Sequence, residues 1–174
     1  MPTMSLPYKI VSEGVLAGEP IRNNNWEVII AKLPNILMNV KTMPLPNYSS
    51  SPIEIYHFNE KLKVAGAIDL PSLTLEVYDT VQPEIFQQIW DWWTEVYDCR
   101  TGQVGYAETY KCKGTLTQYT SKGDKVRDWD LIGLWPVNVN PGSLDYSSAD
   151  PVSVSIELSI DKAIPLISRS GGGD

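Results

Sequence analysis

The sequence predicts a mainly β protein, an antiparallel β-barrel or sandwich with one amphipathic α-helix packed on it. Three observations predict it. Val152, Val154, Ile156, Leu158 and Ile160 alternate without a break against Ser153, Ser155, Glu157, Ser159 and Asp161, the period of a strand with one buried face. Thirteen Pro and 12 Gly punctuate the chain at short spacing, which favours many short elements joined by turns. Helical periodicity is strong in a single segment, 83–98, so no βαβ rhythm arises.

The elements follow in order. Residues 1–25 carry Pro2, Pro7, Gly14, Gly18, Pro20 and the run Asn23-Asn24-Asn25, and are expected to form an extended arm, with Tyr8 to Val11 a short strand candidate. Trp26 to Ala31 reads as a strand, broken by Leu33-Pro34-Asn35. Leu37 to Lys41 is a second strand candidate. Met43-Pro44-Leu45-Pro46-Asn47 is stiff and extended, because each proline disfavours helix for itself and for the residue before it. Ser49 to Pro52 reads as a loop. Ile53 to Phe58 and Glu60 to Val64 form a hairpin turning at Asn59-Glu60. Leu73, Leu75 and Val77 share one face of a strand whose other face carries Ser72, Thr74 and Glu76.

The helix over 83–98 has Asp79 and Thr80 as capping candidates, and Pro83 suits its first turn. Ile85, Ile89, Trp92 and Val96 fall within about 60° of one another on the helical wheel. Phe86, Trp90 and Tyr97 form a second cluster, with Trp93 between the two. The apolar arc of about 160° is wider than one sheet needs. The aromatic half, Phe86, Trp90, Trp93 and Tyr97, is therefore expected to meet a neighbouring subunit. Tyr106 to Thr120 reads as one long strand with Gly114 as a bulge. Val126 to Leu134 is the next strand, ended by Pro136 and followed by a loop through Asn138, Asn140, Pro141 and Gly142. The tail SRSGGGD reads as flexible polar chain. The expected organisation is an arm over 1–25, a β domain over 26–164 and a tail over 165–174.

Composition narrows the function. The 174 residues suffice for one domain with a core, and the 43% apolar and 20% charged content fits a globular chain. A net charge of −7 argues against a nucleic-acid-gripping protein, whose affinity comes from Lys and Arg on phosphates. Cys99 and Cys112 make neither a disulfide framework nor a metal motif. No signal peptide and no apolar run of about 20 residues is read, so a protein folded in a reducing cytoplasm, without membrane insertion, is expected. The sequon at Asn47-Tyr48-Ser49 is then incidental.

Catalytic chemistry finds no foothold. His57 is the one histidine, with no GxSxG motif and no nucleophile context for either cysteine. Asp124, Asp128 and Asp130 lack calcium-loop spacing and are interleaved with Lys125 and Arg127. Neither GxGxxG nor a P-loop occurs. No cofactor, metal or catalytic residue is expected.

The text of Trp129, Leu131, Gly133 and Pro136, then Leu144, Asp145, Tyr146, Ser147, Ser148 and Asp150, then the alternating strand ending at Asp161, resembles the tail tube proteins of T4-like contractile-tailed bacteriophages. The order of the preceding elements from Trp26 fits as well. The resemblance implies a non-enzymatic structural subunit in a virion tail. It implies hexameric rings stacked into a tube, inside a contractile sheath and joined to baseplate and terminator proteins. Double-stranded DNA would pass through without specific binding, and the tube would be assembled in the host bacterial cytoplasm. The same architecture is shared by type VI secretion and bacteriocin tubes, so a genome-free contractile particle is the alternative. A carbohydrate-binding β-sandwich using Trp92, Trp93 or Trp135 is a further one, and a hydrolase the third. The face bearing Ser153, Ser155, Glu157 and Ser159 would be either the channel wall or the outer surface under the sheath.

Overall fold

The structure is a computed structural model that describes residues 21–81 and 84–166. Most of the expected arm, Gln82 and Pro83, and the tail from residue 167 lie outside the described residues. Eleven strands and two α-helical segments are described. They are β1 (Trp26–Ile30), β2 (Val40–Thr42), β3 (Ser49–His57), β4 (Glu60–Asp69), β5 (Leu73–Tyr78), α1 (Ile85–Val96), β6 (Tyr97–Asp98), β7 (Gln103–Val104), α2 (Ala107–Tyr110), β8 (Cys112–Tyr119), β9 (Lys125–Asn140), β10 (Ser153–Ser159) and β11 (Lys162–Leu166).

The fold is mainly β and antiparallel, as the alternation predicts, but the barrel is not closed. Strand β9 is its spine. Its first half pairs with β8 and β11, and β8 pairs with β1; its second half pairs with β10, which continues through β5 to β2. Two four-stranded sheets thus share β9. Strands β10 and β11 run in succession along it, interrupted only at Ile160 and Asp161, and the Asp161 N–H donates to the Ile132 carbonyl at 3.0 Å. Both long strands turn the corner together at Gly133 and Asp161, an arrangement that lets one strand serve two sheets.

The core lies between the sheets and under α1. Val28 and Ile30 come from β1, Leu116 from β8, Leu131 and Leu134 from β9 and Ala163 from β11. Leu73, Leu75 and Val77 of β5 meet Val154, Ile156 and Leu158 of β10. Helix α1 closes the assembly with Ile85, Ile89, Trp92 and Val96, the residues its periodicity selects. Its start is capped by Asp79, whose carboxylate accepts from the Phe86 N–H at 3.2 Å. Trp92 Nε1 donates to the Tyr110 carbonyl at 2.8 Å, and Lys32 pairs with Glu95 at 2.6 Å, so both sides of the helix are tied to the sheet connections.

Several expected boundaries are corrected. Strand β9 does not end at Pro136 but runs on to Asn140. The β9–β10 register shifts beside Pro136, which pairs with Leu158. A proline has no N–H for a ladder, and a register irregularity is where a strand tolerates that loss. Tyr106 to Thr120 is not one strand: a helical turn, α2, precedes β8, and β8 is irregular at Cys112 and Tyr119 while Gly114 stays in register with Ile30 and Leu131. The glycine at 114 is instead required by space, since a Cβ there would meet the Ile29 carbonyl and a Leu134 methyl. Helix α1 ends at Val96 rather than 98, because Tyr97 and Asp98 pair with β7. Leu37 to Asn39 is a single 3-10 turn before β2. Ser49 to Pro52 is strand rather than loop, and the hairpin turns one residue earlier than expected, at Phe58-Asn59. Strand β11 includes Pro165 and Leu166, the first residues of the expected tail.

Candidate assembly surfaces

The described residues offer surfaces rather than a reaction centre. His57 is exposed at the end of β3, edge-on to Phe58 at 4.7 Å. No group of three metal-ligating side chains occurs among the described residues. Cys112 is half-buried, and burial raises its thiol pKa, which disfavours the thiolate form. Of the tryptophans considered for a sugar platform, Trp92 is corrected outright, being buried in the core; Trp93 and Trp135 are half-buried, and Trp135 packs on Tyr110 at 5.6 Å.

The most exposed apolar surface is the β3–β4 hairpin. It forms a two-stranded ribbon of its own, paired to neither main sheet. Cross-strand pairing sets Ile53 opposite Val64 and Ile55 opposite Leu62, which places all four on one face. The other face is polar: Glu54 pairs with Lys61 at 3.2 Å and Lys63 at 3.6 Å, and Lys61 lies over the Tyr56 ring at 5.0 Å. Among the described residues this aliphatic face is left open, with Ile55 47% and Leu62 61% exposed. At the tip, Phe58 is 92% exposed and holds a positive φ of 52°. The positive φ is what the first position of a two-residue hairpin turn requires, and a bulky side chain is an unusual occupant of it. The ribbon is rooted by Tyr48, whose hydroxyl donates to the Ala163 carbonyl and accepts from the Ala163 N–H, both at 2.8 Å.

A second surface is the aromatic half of α1. The structure brings Phe86 and Trp90 together at 5.8 Å between ring centroids. Trp90 and Tyr97 are exposed, while Phe86 and Trp93 are half-buried, so the described residues cover this half of the helix only in part. A third is the exposed 141–152 connection. Asp145 accepts from the Ser147 N–H at 2.9 Å and hydroxyl at 2.7 Å, which holds its carboxyl below the usual range. Ser148 donates to Asp150 at 2.9 Å. This self-braced loop lifts Leu144 and Tyr146 fully into solvent.

The other pattern residues are structural. Leu131 is fully buried. Trp129 packs against the core from β9. Gly133 has φ +73°, and the Asp161 carboxyl occupies the space its Cβ would need; Lys111 holds that carboxyl at 2.7 Å. Lys111 is thus an ion-pair partner at the corner rather than a free cation. Sequence reasoning singles out the helix face but misses Ile53, Ile55, Leu62 and Val64 as a surface. Their signal was the alternation of IEIYH, which reads as a half-buried strand until the core is seen to be complete without it.

Comparison with known proteins agrees with this architecture. The family model for the T4-like virus tail tube protein gp19 matches residues 41–163. The chain is similar to the tail tube protein gp19 of Enterobacteria phage T4, at 25% identity over 156 residues, covering 87% of this chain and 95% of the relative. Among solved structures it is similar in fold to the tube terminating cap of the anti-feeding prophage, with TM-score 0.71 and 16% identity over 91% of this chain and 99% of that one. It is also similar to a chain of the extended sheath-tube complex of the extracellular contractile injection system PVC, with TM-score 0.69 and 17% identity over 95% and 99%. With its spine β9, its corner at Gly133 and Asp161 and the strands β3 to β10 inside the matched span, the chain belongs to the T4-like virus tail tube protein gp19 family.

Proposed function

We propose that this tail tube protein builds the inner tube of a contractile-tailed phage by self-association into stacked hexameric rings, forming the conduit for genome ejection. The observation that carries the reading is the aliphatic face of the β3–β4 ribbon, which the described residues leave exposed. A two-stranded ribbon is at best marginal in water on its own. Covering each half-exposed aliphatic side chain contributes on the order of 1 kcal/mol. Another copy of the chain is the partner consistent with the family. The aromatic half of α1, through Phe86, Trp90, Trp93 and Tyr97, supplies a second contact. Its mixture of apolar rings and polar neighbours suits a subunit interface. The exposed Leu144 and Tyr146 suit a third.

The sheath, baseplate and terminator proteins of the particle are the further partners, in line with the sheath-tube and cap chains that share the fold. The subunit acts as a structural element without catalysis, in the virion tail, after assembly in the host cytoplasm. Its tube domain spans 26–164. Similarity to the phage T4 relative favours a genome-bearing particle over a genome-free one.

Sedimentation of the purified chain tests the reading. Wild type is expected to move into large species as concentration rises, and Ile55→Asp to remain a folded monomer. Equal assembly by both would remove the ribbon from the interface.

A further inference from the structure

We infer that Tyr48 is a latch: its hydroxyl stands in for a neighbouring strand at the edge of β11 and holds the base of the β3–β4 ribbon in the pose from which the ribbon meets another copy of the chain. The inference rests on the assembly reading and names a positioning residue within it.

Among the described residues β11 pairs with β9 alone, so its far side is a strand edge. In an antiparallel strand the N–H and C=O of one residue point to the same side, and successive residues alternate sides. The Tyr48 hydroxyl meets both groups of Ala163, donating to the carbonyl and accepting from the N–H, each at 2.8 Å. Both groups therefore point away from β9. Pro165, two residues on, faces the same way and has no N–H to offer. Ala163 thus carries the outward N–H of β11. One hydroxyl, donor and acceptor at once, satisfies it as a strand would. The edge is closed without a strand.

The tie joins parts that the chain does not. The ribbon's two ends run to β2 and β5, which pair with each other in the sheet of β10. Tyr48 lies at the first of these ends, next to the base pairs Ser49–Asp69 and Ser50–Ile68, and reaches β11 in the other sheet. Pro44 and Pro46 stiffen the approach, and Pro46 is buried. The base is thus held to both sheets, while Ile53, Ile55, Leu62 and Val64 stand exposed beyond it. A ribbon free to swing would occupy its docking pose for a fraction of the time, and its affinity for another copy would fall by that fraction. Holding the base beforehand removes that loss.

Tyr48→Phe tests the latch, because it keeps the ring and deletes the hydroxyl. In dilute, unassembled chain the Ala163 amide is expected to exchange about tenfold faster, while exchange at buried Ile156 stays unchanged. The amides of Ile53 and Leu62 should show lower NMR order parameters. The concentration at which large species first sediment should rise about tenfold, as it would if the docking pose fell to about a tenth of the population. Acceleration at Ile156 equal to that at Ala163 would make Tyr48 a general stabiliser. Unchanged exchange at Ala163, or an unchanged onset of assembly, would show that the hydroxyl holds nothing that assembly uses. Each of these overturns the latch and, where wild type assembles, leaves the assembly reading standing. If wild type itself forms no large species, the assembly reading fails and the latch falls with it.

Discussion

The Asp161 carboxyl group occupies the space a side chain at Gly133 would need. The two residues sit where β9 and the β10–β11 pair pass from one sheet to the other. Gly133 adopts φ +73°, a conformation costly for other residues, and Asp161 is fixed over it by Lys111 at 2.7 Å. Gly133→Ala is therefore expected to destabilise the fold by about 3 kcal/mol, through backbone strain and steric overlap together. A denaturant titration reads this as a lower midpoint with unchanged slope. Gly133→Ala with Asp161→Ala should recover part of the loss, because the overlap is relieved while the strain stays.

The N-cap residue of α1, Glu84, makes no side-chain capping hydrogen bond; Asp79, in the preceding connection, accepts from the Phe86 N–H. Asp79→Ala should cost about 1 kcal/mol. Amide exchange at Phe86 is expected to accelerate, while exchange at core positions such as Ile156 slows or quickens only with global stability. Unchanged exchange at Phe86 would show that the cap carries no weight.

The legible parts of the sequence were those with one period and one partner. The β10 alternation places Val154, Ile156 and Leu158 in the core, and the 3.6 period of α1 selects Ile85, Ile89, Trp92 and Val96. Legibility failed where tertiary context overrides a local rule. Pro136 reads as a strand end, yet a register shift absorbs its missing N–H. Tyr106 to Tyr110 keeps strand-like residue types, yet α2 forms there and its last carbonyl accepts from Trp92. Of the candidate assembly surfaces, the partly open aromatic side of α1 was readable from the width of its apolar arc. The ribbon face was not, because Ile53 and Ile55 alternate as core residues do, and only the completed core leaves them outside.

The 141–152 loop should respond to acid. The Ser147 backbone N–H and hydroxyl hold the Asp145 carboxyl below its ordinary pKa. A carboxyl lowered in the folded state contributes order above its unfolded value and loses it as pH falls through the folded one. Ser147 is therefore expected to keep a protected amide at neutral pH and lose it below the usual carboxylate range of about 4. An NMR titration following the Asp145 carboxyl carbon and the Ser147 amide reads both. Asp145→Asn should weaken the pH dependence, and an unaltered profile would contradict the assignment.

Trp90 belongs to the half of α1 that the described residues cover incompletely, its ring tilted against Phe86 at 5.8 Å and partly open to solvent. Trp90→Asp should leave the β signal in circular dichroism intact and abolish polymerisation. Tubes formed by the mutant as readily as by wild type would exclude this face from the interface.

Electron microscopy of the purified wild-type chain at high concentration tests the central claim most directly. The expected result is six-fold rings and hollow tubes with a continuous central channel. A strictly monodisperse monomer at every concentration, its β3–β4 ribbon and α1 aromatic face still open to solvent, would contradict it.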